Sequence, residues 1–426
     1  MAATQPPSET RLGLASLLAL GVNGTVGVGI FFAPREVAAA VPGWLGAWTY
    51  PAVALLFLPT AWVFARLGRA FPEDGGPYLY ANAAFGAQAA FAVGLTAFVS
   101  ALFSTATVVV GFVESASVPF GLASPSERLF AELLLVTALT AVLSRGLSLS
   151  AATWSTVTVL KAIPLVSLPV AALFVAPVIA TAPSAPGGAP SGFLPAALAV
   201  AFSLQGFEVV PLPAAHVKDA PRNVPLATVG TLVVAALLYF ALHASCVRAV
   251  PDLGAHELPL ADAARAYGGT TFYRIVLATT TVSALGIVIG MIAMTPRYLA
   301  PLGRPEALGF GLDELDLHAV PRRAFAVTFT LLVFILAVNA KWGSMGNLFA
   351  LSALSVTLQY TVTAAALFVL SARKSRGLSP ADRWPAVLAA LGAALTMLGA
   401  TWVEVPIVVA LLSFGFLARA LRKRTG

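Results

Sequence analysis

The sequence predicts an all-α integral membrane protein with twelve membrane-spanning helices. Hydrophobic residues make up 59% of its 426 residues, and charged residues make up only 10%. Apolar stretches of membrane-spanning length recur along the whole chain. A soluble domain carries roughly 25% charged residues, because it must cover a wetted surface. Soluble enzymes, nucleic-acid-binding proteins and secreted modules are therefore excluded.

Twelve stretches are long and apolar enough to cross a bilayer, which takes about 20 mostly apolar residues per helix. The predicted spans are residues 12–40, 44–65, 82–113, 127–144, 150–176, 193–215, 226–247, 272–297, 323–340, 345–371, 384–401 and 404–420. The segments between them are short and contain prolines, glycines and charges. Residues 1–426 are therefore expected to form a single transmembrane domain.

The positions of Lys and Arg predict the orientation of these spans. With the N-terminus in the cytoplasm, the cytoplasmic segments hold an about threefold excess of Lys and Arg over the opposite side. Both termini are therefore expected in the cytoplasm of a cell (plasma or inner) membrane protein. The basic residues lie singly between apolar runs, so the net charge of +7 predicts contact with a lipid bilayer rather than with nucleic acid.

The first predicted span contains a helix break. A straight helix over residues 12–40 would be ~43 Å long, whereas the hydrocarbon core is ~30 Å thick. Glycines weaken its middle, at Gly21, Gly24, Gly27 and Gly29. A break there exposes backbone N–H groups at the start of a half-helix, which is a favourable site for a carboxylate.

The sixth predicted span repeats this feature. Polar groups, a glycine and an acid occupy its centre, from Phe202 to Glu208, and prolines follow at Pro211 and Pro213. Such groups are costly in a membrane unless they face a cavity. Two interrupted helices in corresponding positions favour an inverted-repeat transporter with a mid-membrane site. The predicted repeats cover residues 12–176 and 193–371, with two added helices at 384–420.

Four segments carry short motifs in a consistent order. Residues 27–31 read GVGIF, residues 72–80 read PEDGGPYLY, residues 161–164 read KAIP, and residues 218–225 read KDAPRNVP. They resemble the G-S-G-[IV]-F, P-x-x-G-G-x-Y-x-Y, K-L-x-P and K-N-P-x-R-N-I-P motifs of the amino acid–polyamine–organocation (APC) superfamily. This resemblance implies a leucine-transporter-type fold and alternating-access uptake or exchange of amino acids.

The resemblance also implies a substrate site. By position, the amides of Val28 and Gly29 would hold the substrate carboxylate. The carbonyls of Thr25, Phe202 and Gln205 would accept hydrogen bonds from its ammonium, and the Phe202 ring would pack over it as a gate. The expected substrate-binding residues are Thr25, Gly27, Val28, Gly29, Phe202, Ser203, Gln205 and Gly206.

Departures from the family pattern bear on the substrate. Val28 replaces a serine, His216 stands where many relatives have an acid, and Ile287 lies where arginine/agmatine exchangers place a tryptophan. An apolar pocket favours a neutral amino acid. The alternative is a cationic amino acid or polyamine antiporter, for which Glu208 is the one visible acidic partner.

Two ionisable residues are candidates for coupling or gating. Lys161 lies within the fifth span, and in relatives with this Lys-x-x-Pro pattern the lysine ammonium replaces a sodium ion, so proton coupling or exchange is expected. Glu208 either titrates with the gate or hydrogen-bonds a neighbouring backbone group. Glu114 and Glu132 are expected near the membrane interface.

No cofactor or metal is expected, because the chain has one cysteine and four dispersed histidines. An intramembrane enzyme, the remote alternative, would need clustered catalytic groups, and the spans contain no paired-His, paired-Asp or Gly-x-Ser-x-Gly motif. The expected partners are an amino acid, the bilayer and protons, and the oligomeric state stays open.

Overall fold

The computed structural model describes residues 12–27, 29–71, 76–145, 151–178, 191–211, 217–303, 307–317 and 320–425, without the side chains of 151–162 and 423–425. This part of the chain is helical, and its one strand-like feature is an isolated parallel bridge between Leu12 and Val217. The α-helices are α1 (Leu14–Thr25), α2 (Gly29–Ala40), α3 (Trp44–Ala70), α4 (Gly76–Phe85), α5 (Ala87–Phe120), α6 (Pro125–Leu143), α7 (Ala151–Phe174), α8 (Phe193–Leu204), α9 (Ala220–Ala249), α10 (Pro259–Leu299), α11 (Arg322–Trp342), α12 (Met345–Ala372), α13 (Arg383–Met397) and α14 (Glu404–Thr425).

Each predicted span contains a helix, so the predicted all-α architecture is confirmed for the part of the chain that the structure describes. Among the described helices, seven have the length and mean hydropathy of a membrane span: α3, α5, α9, α10, α11, α12 and α14. The bent pair of α1 and α2 would make an eighth. The count of twelve spans and the inverted repeat stay predictions.

Helix α5 lies at the centre of the bundle. In its most apolar stretch 78% of the residues are buried, compared with 28% in α11 and 22% in α14. It packs between α10 and α12, while α3 packs along α9. The low burial of α11 and α14 leaves their apolar faces on the outside of the bundle, where lipid would solvate them.

Several helix boundaries differ from the predicted ones, for backbone reasons. The third predicted span begins at residue 82, but Gly86 has a φ of +84° and separates α4 from α5. Helix α10 begins before the predicted residue 272 and changes direction at Gly268 and Gly269, whose dihedral angles are not helical. Glycine permits both changes, because it has no Cβ to clash.

The two predicted breaks lie next to each other. Helices α1 and α2 are inclined by 52°, and they pack on different partners, with α1 against α9 and α2 against α8. Because α8 ends at the second break, the contact between α2 and α8 brings both breaks to one place.

Candidate functional site

The first break leaves backbone groups at the ends of α1 and α2 without their usual intrahelical hydrogen-bond partners. Helix α1 ends at Thr25, and the next backbone bond runs from the Gly27 N–H to the Thr25 carbonyl at 2.8 Å. Helix α2 begins at Gly29, whose N–H has no intrahelical acceptor because it opens the helix. The Gly29 amide, which the sequence predicts to hold the substrate carboxylate, is therefore available to an anion. Val28 lies outside the described residues.

The second break follows Leu204, the last residue of α8. Gln205 has an extended backbone with ψ at 146°, and Gly206 has a φ of +121°. A single 3₁₀ turn, Phe207–Val209, then follows. A φ of +121° is accessible to glycine at little cost but strains residues with a Cβ, so the sequence places this break at Gly206.

The two breaks contact each other through glycines. A Cβ on Gly206 would lie 2.6 Å from the Thr25 nitrogen, so the second break lies directly against the backbone of the first. A Cβ on Gly29 would lie 3.0 Å from the Phe202 ring and 3.2 Å from the Ser203 hydroxyl. Five of the predicted substrate-binding residues therefore meet at one place in the bundle.

Phe202 closes one side of the site where the two helix breaks meet. Its side chain is only 8% exposed, and its ring meets the Phe349 ring of α12 edge to face, with centroids 4.3 Å apart. Such a pair adds about 0.5–1.5 kcal/mol beyond the burial of its area. Phe349 was not predicted as a site residue, because no break, charge or motif marks it in the sequence.

A serine cluster, formed by Ser100, Ser104 and Ser352, lies beside the second break. The hydroxyls of Ser104 and Ser352 are 2.7 Å apart, and Ser352 also exchanges hydrogen bonds with Ser100. The Gln205 amide lies 3.4 Å from the Ser352 hydroxyl. Sequence reasoning missed this cluster, although the i, i+4 spacing of Ser100 and Ser104 in an apolar helix puts both on one face.

The carbonyl of Thr25 is already occupied. It accepts hydrogen bonds from the Gly27 N–H at 2.8 Å and from the Tyr239 hydroxyl of α9 at 2.9 Å. A carbonyl oxygen has two lone pairs, so a substrate ammonium would have to compete for this acceptor. By contrast, the described residues donate no hydrogen bond to the Gln205 carbonyl, and Phe202 receives one at 3.3 Å from the Gln205 N–H.

Glu208 is held by two donors. Its carboxylate accepts hydrogen bonds from the Gly206 N–H at 2.8 Å and from the Tyr360 hydroxyl at 2.9 Å. The Tyr360 ring packs among Phe57, Phe64 and Phe207. The contact with Gly206 is the backbone hydrogen bond considered above as the alternative to a titrating role.

Two further residues singled out from the sequence, Lys161 and His216, are not placed at this site by the described residues. Lys161 belongs to α7, which packs against α10, but its side chain is outside the described part, as is all of His216. Within the described residues, no group of three or more His, Cys, Asp or Glu residues is placed to hold a metal ion. The described site therefore offers backbone groups, two aromatic rings and hydroxyls.

Known proteins resemble this chain along most of its length. The amino acid permease family model matches residues 12–416. Cationic amino acid transporter 9, chloroplastic, of Arabidopsis thaliana is 30% identical over 70% of this chain, although the match spans only 56% of that relative. An uncharacterized transporter of Mycobacterium tuberculosis is 27% identical over 85% of the chain and 80% of its own length.

A relative from Bacillus subtilis, the glutamate/serine transporter AimA, is 26% identical over 81% of this chain and 68% of its own length. The family match takes in both helix breaks, because it begins at residue 12 and runs past Gly206. The chain therefore belongs to the amino acid permease family of the APC superfamily.

Proposed function

We propose that the protein is a secondary transporter that moves amino acids across a membrane by alternating access. The observation that carries this proposal is the contact between the two helix breaks, at Gly206 with Thr25 and at Gly29 with Phe202. Broken helices that meet within the bundle provide unpaired backbone donors and acceptors without exposing them to lipid.

The substrate would bind through its backbone groups. The N–H of Gly29, at the positive end of α2, is suited to the carboxylate. The amide of Val28 would join it, as the sequence predicts, whereas the N–H of Gly27 already donates to the Thr25 carbonyl. The ammonium would be bound by the carbonyls of Gln205 and Phe202 at the end of α8, where the helix dipole is negative.

A small neutral amino acid fits the surrounding side chains best. The rings of Phe202 and Phe349 provide an apolar wall, and the serine cluster with Gln205 provides hydroxyl and amide partners. Glu208, the acidic partner that a cationic substrate would need, is held by Gly206 and Tyr360. The named relatives differ here, because one is a cationic amino acid transporter and another a glutamate/serine transporter.

Coupling and topology complete the proposal. Lys161 would replace a sodium ion and make uptake proton-coupled, or the protein would exchange one amino acid for another. Twelve spans, in repeats of residues 12–176 and 193–371 followed by 384–420, would place both termini in the cytoplasm of the cell membrane. The membership of a permease family also favours a transporter over an intramembrane enzyme.

Uptake into liposomes tests this function. The purified protein is reconstituted, and uptake of labelled serine, alanine, glutamate and arginine is measured with and without proton and sodium gradients. We expect serine or alanine uptake that rises with an inward proton gradient, or with preloaded amino acid, and that ignores sodium. Sodium-dependent uptake would contradict the role of Lys161, and arginine as the preferred substrate would favour the cationic alternative.

A further inference from the structure

The linker between α12 and α13 carries a local excess of positive charge. Residues 373–383 contain a single acid, Asp382, and four basic side chains, Arg373, Lys374, Arg376 and Arg383. The linker follows directly on α12, which has the length and mean hydropathy of a membrane span. These charges therefore lie at a membrane–water boundary, where long basic side chains can reach the phosphates of lipid headgroups.

The one acid of the linker is already paired with a cation from another helix. The Asp382 carboxylate accepts two hydrogen bonds from the Arg66 guanidinium of α3, at 2.7 and 2.8 Å, and one from the Ser379 N–H at 2.8 Å. The charges of Arg66 and Asp382 cancel each other. The sequence of the linker contains no further acid for its four cations.

Two of these four cations contact neighbouring parts of the protein. Arg373 donates a hydrogen bond to the Ala84 carbonyl of α4 at 3.1 Å. The guanidinium carbon of Arg376 lies 4.3 Å from the centroid of the Phe71 ring, at the end of α3. Both contacts hold the linker against α3 and α4, and they fix where the rest of the linker lies.

The other two cations, Lys374 and Arg383, have no such partner. No described residue forms an ion pair or a hydrogen bond with either side chain. Arg383 is half-buried, its Nε atom has no acceptor, and its guanidinium carbon lies 5.6 Å from the centroid of the Phe368 ring of α12. Lys374 follows Phe368 by six residues, a rise of about 9 Å in a helix. A guanidinium has five N–H donors, so Arg383 brings donors without protein acceptors to this boundary.

An apolar surface adjoins Arg383 on both helices. On α13, Trp384 is 74% exposed, and Leu388 and Leu391 are 54% and 56% exposed. Their i, i+4 and i+7 spacing puts them on one face of the helix. Phe368, the ring that Arg383 contacts, is 42% exposed on α12. A phospholipid complements this arrangement, with its phosphate at the cation and an acyl chain along the apolar face.

We propose that Arg383 and Lys374, with the exposed faces of α12 and α13, form a binding site for an anionic phospholipid. The planar guanidinium suits two phosphate oxygens, and Lys374 adds a second positive charge. The site prefers an anionic headgroup such as phosphatidylglycerol, because the phosphate of a zwitterionic lipid is offset by the lipid's own ammonium. In the expected topology this lipid belongs to the cytoplasmic leaflet. The site does not depend on the proposed transport function.

Quenching of tryptophan fluorescence by brominated lipid tests this site, because Trp384 lies in the proposed contact. The full-length protein is reconstituted in phosphatidylcholine vesicles that contain a minor fraction of brominated phosphatidylglycerol or the same fraction of brominated phosphatidylcholine. The difference between the parent and Trp384→Phe isolates the Trp384 signal from the rest of the seven tryptophans. Arg383→Gln and Lys374→Gln each remove one charge, whereas Arg383→Lys keeps it.

Lys341→Gln is the matched control. Lys341 lies over the ring of Trp342, another exposed tryptophan, at the opposite end of α11 from its start after the α10–α11 linker. The control therefore removes the same charge from the protein without touching the proposed site. Thermal unfolding of every variant identifies any that fails to fold, and replacement of these partly exposed cations is expected to leave the fold intact.

We expect Trp384 to select brominated phosphatidylglycerol over brominated phosphatidylcholine, by about fivefold for each cation. Each Gln variant should lose its share of this preference, whereas Arg383→Lys should keep most of it and Lys341→Gln all of it. Equal quenching by the two lipids in the parent would overturn the proposal. Equal losses in Lys341→Gln and Arg383→Gln would also overturn it, because attraction to the whole protein's charge would then explain the preference.

Discussion

Replacing Gly206 with alanine tests whether transport depends on contact between the two breaks. The added Cβ would lie 2.6 Å from the Thr25 nitrogen and 2.7 Å from the Gly24 carbonyl carbon, both of them backbone atoms. Alanine would also have to adopt a φ of +121°. Strain at such a φ is of the order of 1–3 kcal/mol, and overpacking typically adds about 1–3 kcal/mol.

Together these effects disfavour the joined breaks by about 2–6 kcal/mol, which reduces their population by at least ~30-fold relative to a state in which the breaks separate. We therefore expect Gly206→Ala to lose most amino acid uptake in proteoliposomes. Gly13→Ala is the matched control, because Gly13 has a φ of −81° and no atom lies within 4 Å of its added Cβ. Size-exclusion chromatography and thermal unfolding report whether the variant is folded. A folded Gly206→Ala protein with parental uptake would refute the reasoning.

Three further predictions concern single contacts. Ser352→Ala removes the centre of the serine cluster and should weaken the binding of substrate serine by about 1 kcal/mol, roughly fivefold, with little effect on the binding of alanine. Equal losses of serine and alanine binding in a competition assay would argue against a contact between the cluster and the substrate hydroxyl. Tyr360→Phe removes a donor to Glu208 and should destabilise the protein by about 1.5–3 kcal/mol in thermal or denaturant unfolding, whereas an unchanged midpoint would show that the bond contributes little. Burial raises the pKa of Asp382, but hydrogen bonds from Arg66 and Ser379 outweigh this effect and hold the pKa below its ordinary value. The ionised carboxylate therefore stabilises the folded protein fully above the unfolded-state pKa, and this contribution is lost as pH falls through the folded-state pKa. Unfolding midpoints measured between pH 6 and pH 3 should therefore fall less steeply in Asp382→Asn than in the parent, and parallel curves would contradict this assignment.

The helix breaks could be predicted because their signals are local. Glycines at 27, 29 and 206, and polar residues inside an apolar run, weaken a membrane helix wherever it packs. The partners of the breaks have no such signal. Ser352 and Gln205 lie 147 positions apart in the chain, and only the packing of α12 against α8 brings them together. Phe349 and Tyr239 were missed for the same reason.

Burial of charge was less predictable than helix formation. Glu132 was expected at an interface because it lies near the end of its predicted span, and a single sequence does not say which face of α6 packs on protein. The structure encloses it at 7% exposure. Leu134, two residues further along α6, is 58% exposed, so the opposite face of the same helix would have left the acid in contact with the surroundings.

The hydrogen bonds already made at the two breaks indicate which break would bind the ammonium of the substrate and which would bind its carboxylate. Of the three carbonyls expected to bind the ammonium, Thr25 has two donors, Phe202 has one distant donor, and Gln205 has none among the described residues. In the proposed binding mode, the ammonium would therefore meet least competition at the second break, while the carboxylate would bind the Gly29 amide at the first. An amino acid bound in this proposed mode would join α2 to the end of α8, and it would stabilise whichever state keeps these two helices in contact. An analogue that lacks either charged group would bind one break only and leave the contact unsupported, so transport should require both groups even if binding does not.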